Sequence, residues 1–276
     1  MYHLESKYEP IYNEYKLNDR QVLVLTKIAN FGIMTTRMTA LYFAFYYQEL
    51  KDKYKASQNT LNQLVKKKLI KRVVLGFGEY RVIYILQNQG KILTEKLNIY
   101  FIKSAQKIYQ SGFRHQVITN HITIFTELLL QKKVKKLIHE NQIRKMKAND
   151  KWDSLSVPDF LITTDEQKMI LIEYEKNLKN DPRKLVVKLI NFTNENLKSV
   201  KNGIDSIYYF VGDEKKKKNL IKYFKKADDL AIEYSDENEL YLENRSKVKI
   251  KSIEETQELF CKKFDCFELK SEEILK

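Results

Sequence analysis

The residues best suited to chemistry lie in one stretch, VPDFLITTDEQKMILIEYEK, residues 157–176. Two apolar runs, VPDFLI and MILIEYE, flank the polar TTDEQK, the pattern of two strands joined by a turn. Side chains alternate along a strand, so Met169, Leu171, Glu173 and Glu175 share one face. Ile170, Ile172, Tyr174 and Lys176 share the other. Glu173 and Glu175 then stand about 7 Å apart at the usual strand rise. If the two runs pair as a hairpin, Asp159 near the start of the first comes close to the end of the second. Three carboxylates at that range repel and raise one another's pKa. A hard divalent cation such as Mg²⁺ or Mn²⁺ relieves the repulsion and takes oxygen ligands. Such an ion polarises a phosphoryl oxygen and lowers the pKa of a bound water. The competing expectation is plainer: the two glutamates leave the strand end for solvent and pair with surface lysines.

What positions such a site is a run of alternating elements. DPRKLVVKLINFTNENLK (181–198) reads as a helix and IDSIYYFVGD (204–213) as a buried strand. KKKKNLIKYFKKADD (215–229) reads as a basic helix, and LAIEYSD (230–236) as a last strand. Ahead of them, FRHQVITNHITIFTELLLQKKVKKLIHENQI (113–143) reads as one long helix. Its apolar positions Val117, Ile118, Ile122, Phe125, Leu128 and Leu129 recur at three and four. The implied core is a mixed sheet flanked by helices.

The N-terminal third has a different grammar. Asn18 caps a helix with apolar positions at Val22, Leu25, Ile28 and Ala29, and Gly32 ends it. A second helix follows a threonine cap in MTTRMTALYFAF (34–45). A third, KASQNTLNQLVKKKLIKR (55–72), is expected to be capped by Ser57 and to bury Leu61, Leu64 and Val65. Two strand-like runs around Gly76 and Gly78 then read as a hairpin. Three short helices and a hairpin form a winged helix-turn-helix. Its third helix offers Lys55, Ser57, Gln58, Asn59, Asn62, Gln63 and Lys66. Amides can read base edges and cations can hold phosphates. The wing adds Lys71, Arg72 and Arg81. No carboxylate occurs from Lys53 to Val74. A further helix is expected over 87–100. The domain division is expected between 1–105 and 106–276.

Composition agrees with a polyanion partner. Fifty Lys and Arg against 36 Asp and Glu give a formal charge of +14, a field that favours nucleic acid or an anionic membrane face. A lysine-rich proteome would give the same sign. With 43% hydrophobic residues and only 7 glycines and 3 prolines the chain is globular rather than linker-like. The first ten residues lack the basic head and apolar core of a signal peptide. No apolar run approaches the ~18 residues a membrane span needs. Cys261 and Cys266 are too few for a zinc site and read as reduced thiols of a cytoplasmic protein.

The order of these features resembles a known family. Pro158-Asp159, a hairpin turn and Glu173-x-Glu175 look like the PD-(D/E)xK nuclease core in a variant where a carboxylate replaces the lysine. LNDRQ to LVKKKLIKR, then RHQVITN, then PD…IEYEK…KLVVKLINF resembles the replication-relaxation family of mobile plasmids, akin to MobC-type relaxases and mobilisation proteins. The likeness spans roughly residues 17 to 212. It implies an α+β chain with a winged helix ahead of a restriction-endonuclease-like sheet. It implies metal binding by Asp159, Glu173 and Glu175. Lys188 falls on a family lysine able to reach the scissile phosphate, and His115 and Asn120 on a His and an Asn of the joining helix. Lys176, one residue past the motif's lysine position, faces the other way. The implied activity is Mg²⁺-dependent nicking of duplex DNA at a plasmid origin, alongside other mobilisation proteins and with a homodimer as one arrangement. A non-catalytic DNA-binding accessory or regulator is the alternative. No histidine cluster suggests a histidine-metal relaxase, and no tyrosine is marked as a nucleophile.

Overall fold

The computed structural model describes residues 15–75, 82–96, 110–130, 134–140, 142–144, 157–175, 182–198 and 204–264. The chain divides into two compact units, 1–124 with 260–274 and 276, and 125–259 with 275.

In the first unit, α1 (Asp19–Phe31) begins at a capping box. The Asn18 side chain accepts from the Gln21 N–H at 3.0 Å, and the Gln21 side chain accepts from the Asn18 N–H at 3.3 Å. Gly32 ends the helix at φ 73°, a left-handed conformation that costs glycine little. Thr35 caps α2 (Thr36–Tyr46), accepting from the Met38 N–H at 3.1 Å. The third helix, α3 (Lys53–Lys66), starts earlier than the sequence suggests. Its cap is Asp52, whose carboxylate accepts from the Lys55 N–H at 2.7 Å. The expectation of a cap at Ser57 is therefore corrected. Ser57 lies inside the helix, fully buried, with its hydroxyl donating to the Lys53 carbonyl at 2.8 Å.

Leu61 and Leu64 of α3 are buried with Leu25, Ile28, Leu41 and Phe43. A two-stranded antiparallel hairpin follows, β1 (Ile70–Val74) and β2 (Val82–Leu86), with Ile70 opposite Leu86. Met34, between α1 and α2, exchanges two backbone hydrogen bonds with Tyr84, at 3.0 and 2.8 Å, and so ties the hairpin to the helices. Next comes α4 (Asn88–Lys96). Its Gly90 sits so close to the residue before β1 that an added Cβ would lie 2.0 Å from the Leu69 carbonyl oxygen. The division between units falls within α5 (Gln110–Leu130).

The second unit is built on a five-stranded mixed sheet: β3 (Val134–His139), β4 (Phe160–Thr164), β5 (Met169–Tyr174), β6 (Ser206–Val211) and β7 (Val248–Ser252), in that spatial order. β3, β4 and β5 are antiparallel neighbours, while β5, β6 and β7 run parallel. The VPDFLI–MILIEYE hairpin is present as β4 and β5. Two expectations fail. The long helix over 113–143 stops at Leu130, and VKKLIH is a strand with Leu137 opposite Ile162 and His139 opposite Phe160. Pairing with β4 overrides the helical preference of its two lysines. LAIEYSD is not a strand. It closes α7 (Glu214–Glu233) and opens α8 (Ser235–Asn244). Ala227, Ala231 and Tyr241 pack there against Val186 and Ile190 of α6 (Pro182–Lys198), which fixes a helical period. The last strand is VKIKS instead, reached through a short 3₁₀ turn at Arg245–Lys247 and followed by α9 (Ile253–Phe264).

One face of the sheet carries Ile138, Leu161, Leu171, Ile207, Tyr209, Val211 and Val248. It packs under Leu185, Leu189 and Phe192 of α6 and Leu220 and Phe224 of α7. The fold is α+β. Among the described residues, no helix is long and apolar enough to cross a membrane.

Candidate functional site

The carboxylates stand in one row across the second unit. Phe160 pairs with Ile172, so the next position brings Asp159 opposite Glu173. The Glu140 N–H donates to the Asp159 carbonyl at 2.9 Å, which adds the end of β3. Glu173 in turn pairs with Tyr209 of β6. The row Glu140, Asp159, Glu173, Tyr209 therefore shares the face that α6 covers. Leu185, Leu189 and Phe192 form the apolar stripe of that helix, and Lys188 lies within the same stripe. Its ammonium reaches down to Glu175 at 2.5 Å and to Glu173 at 3.7 Å.

These are not solvent-facing glutamates. Glu175 is buried, and the Glu173 side chain is only 14% exposed. Burial pushes the Glu173 carboxyl well above the usual carboxylate range. The Asp159 charge adds to the rise, and Lys188 opposes both. Burial works to lower Lys188, but its hydrogen bond to Glu175 and the Glu173 charge outweigh it, and the ammonium is held above its ordinary value. The opening pattern thus has a partner within the chain: Lys188 supplies the positive charge for both glutamates.

Asp159 has a second task. Its carboxylate accepts from the Tyr174 backbone N–H at 2.8 Å. β4 begins only at Phe160, so at this end of the ladder a side chain fills the acceptor position. Next to it His139 is buried against the Phe160 ring. Burial lowers its pKa to about 4, against the pull of Asp159.

Asp159, Glu173 and Glu175 offer only oxygen donors, the type of ligand that hard divalent cations take. Among the described residues, no three His, Cys, Asp or Glu side chains are already gathered around one point as a metal group. Lys176 lies outside the described residues.

His115 and Asn120 belong to the other unit. His115 is half-buried on α5, and its carbonyl accepts from the Thr119 hydroxyl at 3.1 Å. Asn120 is buried and donates to the carbonyls of Phe31 and Ile33 at 3.3 and 3.1 Å. It satisfies carbonyls left open at the end of α1, which is a structural task.

The expected DNA face of the first unit is organised as follows. Lys55, Gln58, Asn59, Asn62, Gln63 and Lys66 are exposed along α3, and Lys71 and Arg72 are exposed on β1. Gln63 is held in place: its side-chain oxygen accepts from the Gln21 amide at 2.7 Å. Ser57, turned into the core, is withdrawn from this face. Arg81 lies outside the described residues. Cys261 is buried, and Cys266 lies outside the described residues.

Sequence reasoning missed two members of the acidic row. Tyr209 was legible, since alternation in SIYYFV puts it on the face of Ile207 and Val211. Glu140 carried no signal while its surroundings read as helix.

Comparison with known proteins found no family model, no curated protein and no solved structure that matches the chain.

Proposed function

We propose that this chain is a DNA-binding protein of a mobile element that nicks one strand of its target in a metal-dependent reaction. In this reading it resembles the replication-relaxation and mobilisation proteins. The observation that carries the reading is the row of Asp159 and Glu173 with Glu175 and Lys188 at one end of a mixed sheet. Three acidic groups beside a single cation, partly withdrawn from water, carry an excess of negative charge that a divalent metal would offset before a phosphodiester could approach. The three helices and hairpin of the first unit act as a winged helix-turn-helix. α3 lies in the major groove, its amides on base edges, while Lys71 and Arg72 hold the backbone.

A bound Mg²⁺ or Mn²⁺ supplies Lewis acidity at the phosphoryl oxygen and an activated water. The chain's own groups do the rest. Asp159, Glu173 and Glu175 would hold the cation. Lys188 keeps the glutamates compensated before it binds and is placed to pair with a phosphate oxygen afterwards.

The decisive experiment is relaxation of the supercoiled mobile-element plasmid with Mg²⁺, with Mn²⁺ and with EDTA. Open circles that need metal and vanish in Glu173→Gln and Asp159→Asn support the reading. A shifted plasmid that stays supercoiled under every condition sinks the enzymatic half.

One observation favours a second reading. Lys188 already pairs with both glutamates, as a cluster with a purely structural task would require. The chain would then be a non-catalytic DNA-binding accessory protein, and Glu173→Gln would leave DNA binding unchanged.

A further inference from the structure

The second unit carries a basic surface that the acidic site does not use. In α7, Lys215, Lys218, Lys222, Lys225 and Lys226 are all exposed. At 100° per residue they fall within an arc of about 100°, so they form one stripe. The stripe runs for about 16 Å at 1.5 Å per residue. Asp229, exposed on the same arc, closes it toward the C-terminal end. Two other lysines of the same run behave differently. Lys216 pairs with Asp213 at 3.7 Å, and Lys217 pairs with Glu255 at 2.5 Å. Among the described residues, none of the five stripe lysines has a carboxylate within 4 Å. The pairing of Lys216 and Lys217 shows that carboxylates lie within reach of the helix start, yet the outward stripe is left uncompensated.

The placement of the stripe gives it meaning. β5 and β6 are parallel, and the Glu175 N–H donates to the Phe210 carbonyl at 2.9 Å. β6 ends at Val211, Asp213 caps α7, and Lys215 follows. The basic stripe therefore starts just past the C-terminal end of β6, the end of the sheet at which Glu173 and Glu175 stand, and runs away from it.

We propose that α7 is a phosphate track, which holds the backbone of a DNA duplex so that the strand reaches the end of the sheet bearing Glu173 and Glu175. The proposal rests on the reading of the chain as a DNA-binding protein. Lysine is a compact point charge without the planar fork that reads a base. The stripe itself holds no amide, so the contact is to backbone and carries no sequence information. Its length matches about five base pairs of duplex at 3.4 Å per step. An acidic protein surface or an anionic lipid face would answer to the same charge, but neither would account for its start beside the carboxylates.

The test uses the full chain and a random-sequence duplex, with affinity measured over a salt series. Wild type is compared with the triple variant Lys215→Gln, Lys218→Gln, Lys222→Gln and with the same three changed to Arg. The Gln variant is expected to bind at least tenfold more weakly, and its log K against log salt slope to be shallower by about 2 to 3, from ~0.9 per phosphate contact. The Arg variant keeps the wild-type slope. A Gln variant with the wild-type slope overturns the phosphate track and leaves DNA binding by the chain intact. A Gln variant that keeps the slope but no longer binds phosphatidylserine vesicles assigns α7 to a membrane and overturns the proposal. A wild-type chain that does not bind duplex sinks both this proposal and the DNA-binding reading.

Discussion

The two units treat their polar residues in opposite ways. In the first, Gln58, Asn59, Asn62 and Lys66 project from α3 into solvent, and little in the fold depends on them. In the second, Glu173, Glu175 and Asp159 are folded inward over the sheet, and Lys188 lies across the two glutamates. An outward group can be exchanged at small cost to stability, because water replaces its contacts. An inward charge is compensated only by its partner, so removing the partner is felt by the fold. The contrast separates an exposed polar surface from an inward cluster whose charges bear on the stability of the fold.

The largest effect should come from Lys188→Met. It leaves Glu175 buried without its cation at 2.5 Å, and about 3 kcal/mol of stability at pH 7 should be lost in urea unfolding. A loss under 1 kcal/mol would mean that the inward cluster is no more coupled to the fold than a surface pair. Next in size is the acid response of His139. Its folded pKa of about 4 lies below its ordinary value of 6.5, so the unfolded chain takes up the proton first and stability falls as pH drops through that window. From pH 7 to pH 5 the histidine should weaken the fold by about 2 kcal/mol, and His139→Gln should remove that part of the slope. Glu173, with its raised pKa, acts in the opposite sense, so the comparison must be between the variant and wild type at each pH.

Smaller effects are expected in the first unit. Asp52→Ala removes the α3 cap at 2.7 Å and should cost about 1 kcal/mol, read as a lower unfolding midpoint. Asn62→Ala should change stability by less than about 0.5 kcal/mol. It should weaken binding to the cognate site by about tenfold, with little change on random duplex. Equal loss on both sequences would show that its amide does not read a base.

The legible parts of the molecule were those with strong local signals. Asn18 and Thr35 announced helix starts, and alternation in MILIEYE placed Glu173 and Glu175 on one face. The hairpin that brings Asp159 opposite Glu173 followed from the turn residues between its strands. The parts that were not legible depend on distant partners. VKKLIH is a strand because β4 lies beside it, and nothing within its six residues says so. Ser57 has the chemistry of a cap, but Asp52 five residues earlier starts the helix first. LAIEYSD has the apolar spacing of a strand, yet packing against Val186 and Ile190 carries the helix through it. The counter-charge of the glutamates was the least visible feature. Lys188 was marked as a lysine able to reach a phosphate, and only the packing of α6 shows it lying on the carboxylates.

The hydrogen bond from the Tyr174 backbone to Asp159 bears on how the protein can change over evolutionary time. An aspartate that closes the end of a ladder is kept by selection on folding, whether or not any reaction takes place beside it. A lineage that lost the chemistry would keep Asp159 and the Glu175–Lys188 pair, and let Glu173 drift. The persistence of Glu173 among relatives, rather than that of Asp159 or Glu175, would be the informative record of catalysis.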